Sequence, residues 1–452
     1  MNYSPEPPPL PAPATPRYAR LGAALAVCVI AACVTFVVCV QSGRPTGGAA
    51  EVRPNRMLEL MARYTVGVKE MLRIAKMPSE EITRAVMQDM TKFSRTDEDA
   101  LRLLILKGWL VEVRPAAAEF DAIAAKNAGL HEDVVTLRQL EATHGEVKDE
   151  SWKKLRERHG WIADLARAQT QTANDGARQA VVQQGMGTAV VLISVSMLGM
   201  IMAVAGVAIM ILGITRWRSG KLRLTLALRS RGQGGVMIEG FAIFLILFLF
   251  LPKLLRLLAV PLPGWATYVP ALIALIIGMA WPLLRGMQRS EWREALGLHR
   301  GQGWFREMGM GVLGWLATLP LLVVGMIAAS WIMKFTGKFP SHPIVDVFAG
   351  DGWAKLGAVL LAVVWAPISE EIMFRGMLFP GLSAWLKWAS GLLLSAFVFA
   401  VIHPQGWAGV PAIMALAGAF ALLRMWRQSL IAPMTAHALN NGIMCAVMLF
   451  LF

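Results

Sequence analysis

Two hydrophobic patterns alternate along the chain. Apolar residues run almost unbroken over 21–40, and again over 188–214, 237–254, 269–284, 309–332, 356–380, 388–403, 410–423 and 430–452. About 20 apolar residues cross a bilayer as a helix, and the shorter runs fit as tilted or re-entrant segments. The first run is longer than the roughly 7–15 apolar residues of a secretory signal, so it predicts an uncleaved anchor. Val38, not a small residue, precedes Cys39, which argues against lipid attachment there. Between anchor and later runs, 42–186 follows another rule: apolar positions such as Met57, Leu60, Met61 and Tyr64 recur at helical spacing among charges. Pro78-Ser79-Glu80 and Thr96-Asp97 read as helix starts. The pattern predicts an all-α chain, a polytopic transmembrane bundle of about nine spans with an extracytoplasmic helical insert. Its parts are a disordered Pro-rich tail (1–20), the anchor (21–41), the insert (42–186), transmembrane helices with basic loops (187–289) and a C-terminal membrane core (290–452).

Composition narrows the class. Of 452 residues, 56% are hydrophobic and 16% charged, against about 25% charged in an average soluble domain. That excludes an ordinary cytosolic enzyme and a disordered chain. The net charge of +14 is unevenly spread: 42–186 holds 22 Lys and Arg against 21 Asp and Glu, and the rest 22 against 9. The excess lies in linkers between greasy runs, at Arg216, Arg218, Lys221, Arg223, Arg229 and Arg231, at Arg285, Arg289 and Arg293, and at Arg424 and Arg427. With nine spans, all fall on the side of Arg17 and Arg20. The positive-inside rule then places the N-terminus in the cytoplasm and the insert outside it. Such charge points to a lipid bilayer and away from nucleic acid.

Smaller features follow from the same topology. Residues 291–296 are expected along the cytoplasmic interface as a short amphipathic helix. Glu239, near the start of its run, reads as interfacial, and His131, His144 and His159 as solvated surface of the insert. All four cysteines, Cys28, Cys33, Cys39 and Cys445, lie in apolar runs, so the insert has neither a disulfide framework nor a Cys-rich zinc site.

Ionisable groups within spans are expensive and point to function. The run at 356–380 contains Glu370-Glu371-Ile372-Met373-Phe374-Arg375. Glu371 and Arg375, four apart, share a helix face with the acid N-terminal to the base, the favoured order for a pair. Glu370 is turned about 100° away and left without a local partner, as suits a general acid or base. The next run ends in Phe399-Ala400-Val401-Ile402-His403 before Pro404, and the last contains His437-Ala438-Leu439-Asn440-Asn441. Each group alone is also what structural glue between membrane helices looks like. Together on three runs they read as a site. Depth counting leaves His403 and His437 at different levels, unless tilted helices, a break at Pro367 or a re-entrant segment near Pro380-Gly381 brings them together.

The order Glu-Glu-x-x-x-Arg, Phe-x-x-x-His, His-x-x-x-Asn resembles the CAAX-processing and bacteriocin-processing intramembrane proteases, the type II CAAX prenyl endopeptidase family. The resemblance runs from about Ser290 to the C-terminus and leaves out the anchor and the insert. It implies an intramembrane endopeptidase acting on membrane-associated proteins or peptides. Glu370 and His403 would activate water, His437 and Asn441 would stabilise the oxyanion, and Glu371, Arg375 and Phe399 would support them. No cofactor is expected. The alternative chemistry is zinc held by Glu370, His403 and His437, although no His-Glu-x-x-His helix accompanies it. A non-catalytic immunity or scaffold protein of the same fold, and a transporter using Glu and His as proton relays, are the other readings. The insert, lacking a catalytic set, is expected to dock substrates or partners. The expected location is a bacterial inner membrane.

Overall fold

The computed structural model describes residues 19–42, 56–91, 94, 96–112, 115–226, 228, 230–259, 268–336, 348 and 352–451. The Pro-rich tail and Arg17 lie outside the described residues. All the regular structure described is helical: α1 (Ala19–Ser42), α2 (Arg56–Ile74), α3 (Glu80–Met90), α4 (Asp97–Val111), α5 (Ala117–Lys126), α6 (His131–Ala142), α7 (Asp149–His159), α8 (Trp161–Gln169), α9 (Gly176–Arg218), α10 (Arg231–Leu257), α11 (Val269–Leu284), α12 (Arg289–Leu296), α13 (Trp304–Thr336), α14 (Gly352–Trp385), α15 (Trp388–Ile402), α16 (Gly406–Arg427) and α17 (Ile431–Leu451). Each of the nine apolar runs coincides with one helix. Six helices (α1, α9, α10, α13, α14 and α16) are long and apolar enough to cross a membrane, and α11 and α15 are shorter apolar helices. The ninth, α17, has 21 residues and carries His437, Asn440 and Asn441. The chain is an integral membrane protein.

Two compact units emerge, Arg44–Ile201 and the remainder. The first has its own core, in which Leu58, Val66, Leu101, Leu106, Leu130, Leu140, Leu155 and Ile162 are fully or almost fully enclosed. Thr96 caps α4 by accepting from the Asp99 N–H at 3.1 Å. In α2 the buried line is Leu58, Ala62, Thr65 and Val66, one position on from the stripe read from the sequence. His159 corrects the surface assignment: it is 1% exposed and its Nε2 meets Asp133 Oδ2 at 3.1 Å. Arg158 reaches the same oxygen at 2.6 Å. Burial pushes the Asp133 carboxyl up, but its bonds to His159 and Arg158 outweigh that and hold it below the usual carboxylate range.

In the membrane unit α10 is the central helix, with α1, α11 and α14 around it; Phe241 and Phe374 meet edge-on at 5.0 Å in the core they share. α10 and α14 touch backbone to backbone, since a Cβ on Gly234 would stand 3.0 Å from Gly381 O and one on Gly381 2.9 Å from Gly234 O. Small residues permit this approach, which packing in lipid requires. Glu239 of α10 lies inside the unit. It is 7% exposed, accepts from Trp281 Nε1 at 2.8 Å and lies 3.4 Å from Arg285 Nε. Those donors offset the cost of burying the carboxylate.

A polar plug closes the same unit between α12 and α13. Arg424 was read as part of a basic linker, yet it is fully buried within α16 and donates to Ala295 O at 3.0 Å. Gly297, with φ +77°, faces that guanidinium. The Leu430 N–H donates to Gly297 O at 3.0 Å, and Ser429 Oγ to His299 O at 2.7 Å. Arg427 grips Glu307 at 2.7 and 2.9 Å. Burial and the nearby Arg424 hold the His299 imidazole below its usual value. As expected, residues 289–296 form a short helix, but its end is drawn inward, with Ala295 and Leu296 buried.

Candidate active site

α14 is continuous through its two interior prolines because it widens before each. Residues Leu361–Trp365 and Glu371–Leu378 are π-helical, flanking an α-helical turn at Ala366–Glu370. Pro367 and Pro380 lack an N–H and would clash with the carbonyl four residues back in a regular α-helix. Longer-reach bonds relieve this, with the Ala366 N–H on Leu361 O and the Phe379 N–H on Phe374 O. Such π turns recur at functional sites, and here they bracket Glu370.

The depth mismatch resolves without a break or a re-entrant turn. α15 has only 15 residues and ends at His403, which takes extended backbone angles ahead of Pro404. α17 starts on the plug, not at the foot of the bundle: Gly376 of α14 backs on Leu296 and Leu430. Leu430, just ahead of α17, therefore stands about 13 Å up α14 from Trp385, at 1.5 Å per residue. Six residues into α17, His437 comes level with Glu371.

Three helices thereby bring the predicted residues together. His403 Nε2 lies 3.9 Å and His437 Nε2 3.8 Å from Glu370 Oε2. That oxygen is buried with no hydrogen-bond partner among the described residues. The other ring nitrogens are held by acceptors. His403 Nδ1 is 2.6 Å from Phe399 O, and His437 Nδ1 is 2.9 Å from Glu371 Oε1. Neither a carbonyl nor a carboxylate paired with arginine can donate, so both Nδ1 atoms carry the proton and each ring turns its Nε2 towards Glu370.

Glu371 and Arg375 form the expected pair at 3.0 Å, with side-chain exposures of 0 and 2%, while Glu370 and His403 keep 29 and 21%. The first two are thus internal bracing, and the second two open outward. Arg375 is clasped between rings, its Cζ 4.4 Å from the Phe399 centroid and 5.6 Å from Phe420, and it donates to Ala417 O at 3.3 Å. Phe399 also packs against the His403 ring at 4.3 Å. Asn441 lies further along α17, where its Nδ2 donates to Ala362 O in the first π turn at 2.9 Å. One N–H of its amide is thereby committed, which leaves one for other work. The sequence reading missed the bond from His437 to Glu371, although both residues belong to the recognised motifs.

Residues 352–443 match the family model described as type II CAAX prenyl endopeptidase Rce1-like. The match contains every residue of the cluster. No curated protein matches the chain, and no solved structure does.

Proposed function

With a domain of the CAAX protease family at residues 352–443 as premise, we propose that the chain is an intramembrane endopeptidase that cleaves membrane-associated proteins or peptides in a bacterial inner membrane. The observation that carries the reading is the convergence of two imidazole Nε2 atoms on the unbonded Glu370 oxygen, at 3.8 and 3.9 Å. A water between them would meet only proton acceptors. Glu370 and His403 take its proton as its oxygen attacks the scissile carbonyl carbon, and the proton then passes to the leaving amine. On its way from Glu370 to the leaving amine that proton passes through His437 Nε2, which donates it to the oxyanion beside the second N–H of Asn441. One such donor is worth about 2.7–4 kcal/mol in a dry site. Glu371 holds His437 in the tautomer this requires.

Incubating the purified protein with a membrane proteome and sequencing the newly generated termini tests the reading. New termini are expected, and Glu370→Gln should lower their rate of appearance by about 10²-fold or more. No new termini would favour a non-catalytic immunity or scaffold protein.

The zinc reading uses the same atoms. No His-Glu-x-x-His helix accompanies these residues, so water activation without metal is the reading favoured here, and activity is expected to survive long dialysis against a strong chelator. One equivalent of zinc, with activity lost on its removal and restored on its return, would instead make Glu370, His403 and His437 its ligands.

A further inference from the structure

α15 ends at His403, and the chain immediately beyond offers its last carbonyls little. Pro404 has no N–H to give, and the extended angles of His403 turn its own carbonyl out of the helical ladder. Only a weak bond of 3.3 Å joins the His403 N–H to Ala400 O. In apolar surroundings a carbonyl in this position needs a donor. The donor comes from the anchor helix. Gln41, in the last turn of α1, donates from Nε2 to His403 O at 2.9 Å and reaches Val401 O at 3.5 Å. Val38 and Val34, one and two turns earlier on α1, pack against the cluster containing Ala400 and Val401. One face of α1 therefore seats on the last turn of α15, with an amide at its end aimed at the two carbonyls.

That same turn fixes the imidazole. Its Nδ1 is bonded to Phe399 O at 2.6 Å, so any change in the pitch of 399–403 moves Nε2 relative to Glu370. We infer that Gln41 is a positioning residue for His403, holding the end of α15 so that the imidazole stays aimed at Glu370. The inference rests on the reading of His403 as part of the water-activating pair. Gln41 lies outside the family match at 352–443, and three residues beyond it the chain enters the insert unit. The anchor thus takes part in shaping the site as well as holding the chain in the membrane.

The test compares Gln41→Leu, which keeps the bulk and loses the donor, with Gln41→Lys, which restores a donor of similar reach. His403→Ala is the reference, and all are assayed on a peptide whose cleavage the terminus sequencing has established. Gln41→Leu should lower kcat about tenfold, as a small misplacement of a reacting group does, with KM within about twofold and the unfolding midpoint unchanged. Gln41→Lys should recover most of kcat. An unchanged kcat in Gln41→Leu beside an inactive His403→Ala overturns the inference and leaves the function standing. So does a kcat loss that Lys fails to repair, or one that follows a fall in stability, since either marks a merely structural contact. Full activity in His403→Ala overturns the role of His403 and this inference with it.

Discussion

Two adjacent glutamates are given opposite tasks by their surroundings. Glu370 has one oxygen without a hydrogen-bond partner among the described residues, and two imidazoles aimed at it. Glu371 has no exposure, and its Oε1 receives both Arg375 and His437. Removing one member of a buried, bonded charge pair is costly, about 3–5 kcal/mol, because its partner is left uncompensated. Glu371→Gln should therefore lower detergent stability by about 3 kcal/mol or more. Its turnover per folded molecule should fall less than that of Glu370→Gln, since the amide oxygen still accepts from His437. Thermal unfolding combined with single-turnover cleavage by equal amounts of folded protein checks this, and the reverse order would exchange the roles. The Glu371–Arg375 pair was legible because four residues on one helix are neighbours whatever the fold. The bond from His437 to Glu371 was not, because it joins positions 66 apart on different helices. His159 was misplaced for the same reason, its partner Asp133 standing on another helix.

Among elements, the run of apolar residues marks each span but says little about where its ends stand in depth. What sets the level of α17 is the plug, built from Arg424, Ser429 and Leu430 against Ala295, Gly297 and His299. Its basic residues look like any cytoplasmic linker in sequence, and only burial separates Arg424 from the rest. Likewise the widened turns of α14 follow from Pro367 and Pro380 inside one helix, where a sequence reading admits a break equally well. Gly297 is the point at which the plug can be tested. Its φ of +77° disfavours any Cβ, and a Cβ there would stand 2.7 Å from Arg424 Cζ. The backbone conformation alone costs a non-glycine residue about 1 kcal/mol. Gly297→Ala should thus destabilise the protein by more than about 1 kcal/mol. It should also lower turnover per folded molecule, because Leu430 hangs on Gly297 O and carries the start of α17 with it. Unchanged unfolding and unchanged cleavage would show that the plug does not set the level of His437.

For the molecule as a whole, every group of the site belongs to the membrane unit, and 44–201 contributes none of them. The insert has a separate apolar core running from Leu58 to Val181, and within it the buried Asp133 carboxylate meets His159 and Arg158. Its near balance of charge, 22 basic against 21 acidic residues over 42–186, also distinguishes it from the basic linkers between the membrane helices. A unit that folds around its own core and holds no reacting group is suited to choosing substrates or partners. Replacing 44–175 by a short flexible linker, with α1 and Gln41 retained, should therefore leave cleavage of a small peptide in detergent within about threefold of the full chain, since uniform binding and not the chemical step is what such a unit supplies. Cleavage of a membrane-embedded protein substrate should suffer more, through KM. Retaining α1 makes the comparison meaningful, because the bond from Gln41 to His403 O survives the replacement and cannot account for a loss. If small-peptide cleavage disappeared while the membrane helices still unfolded cooperatively at their usual temperature, the insert would have to complete the active site, and the division of labour drawn here would be wrong.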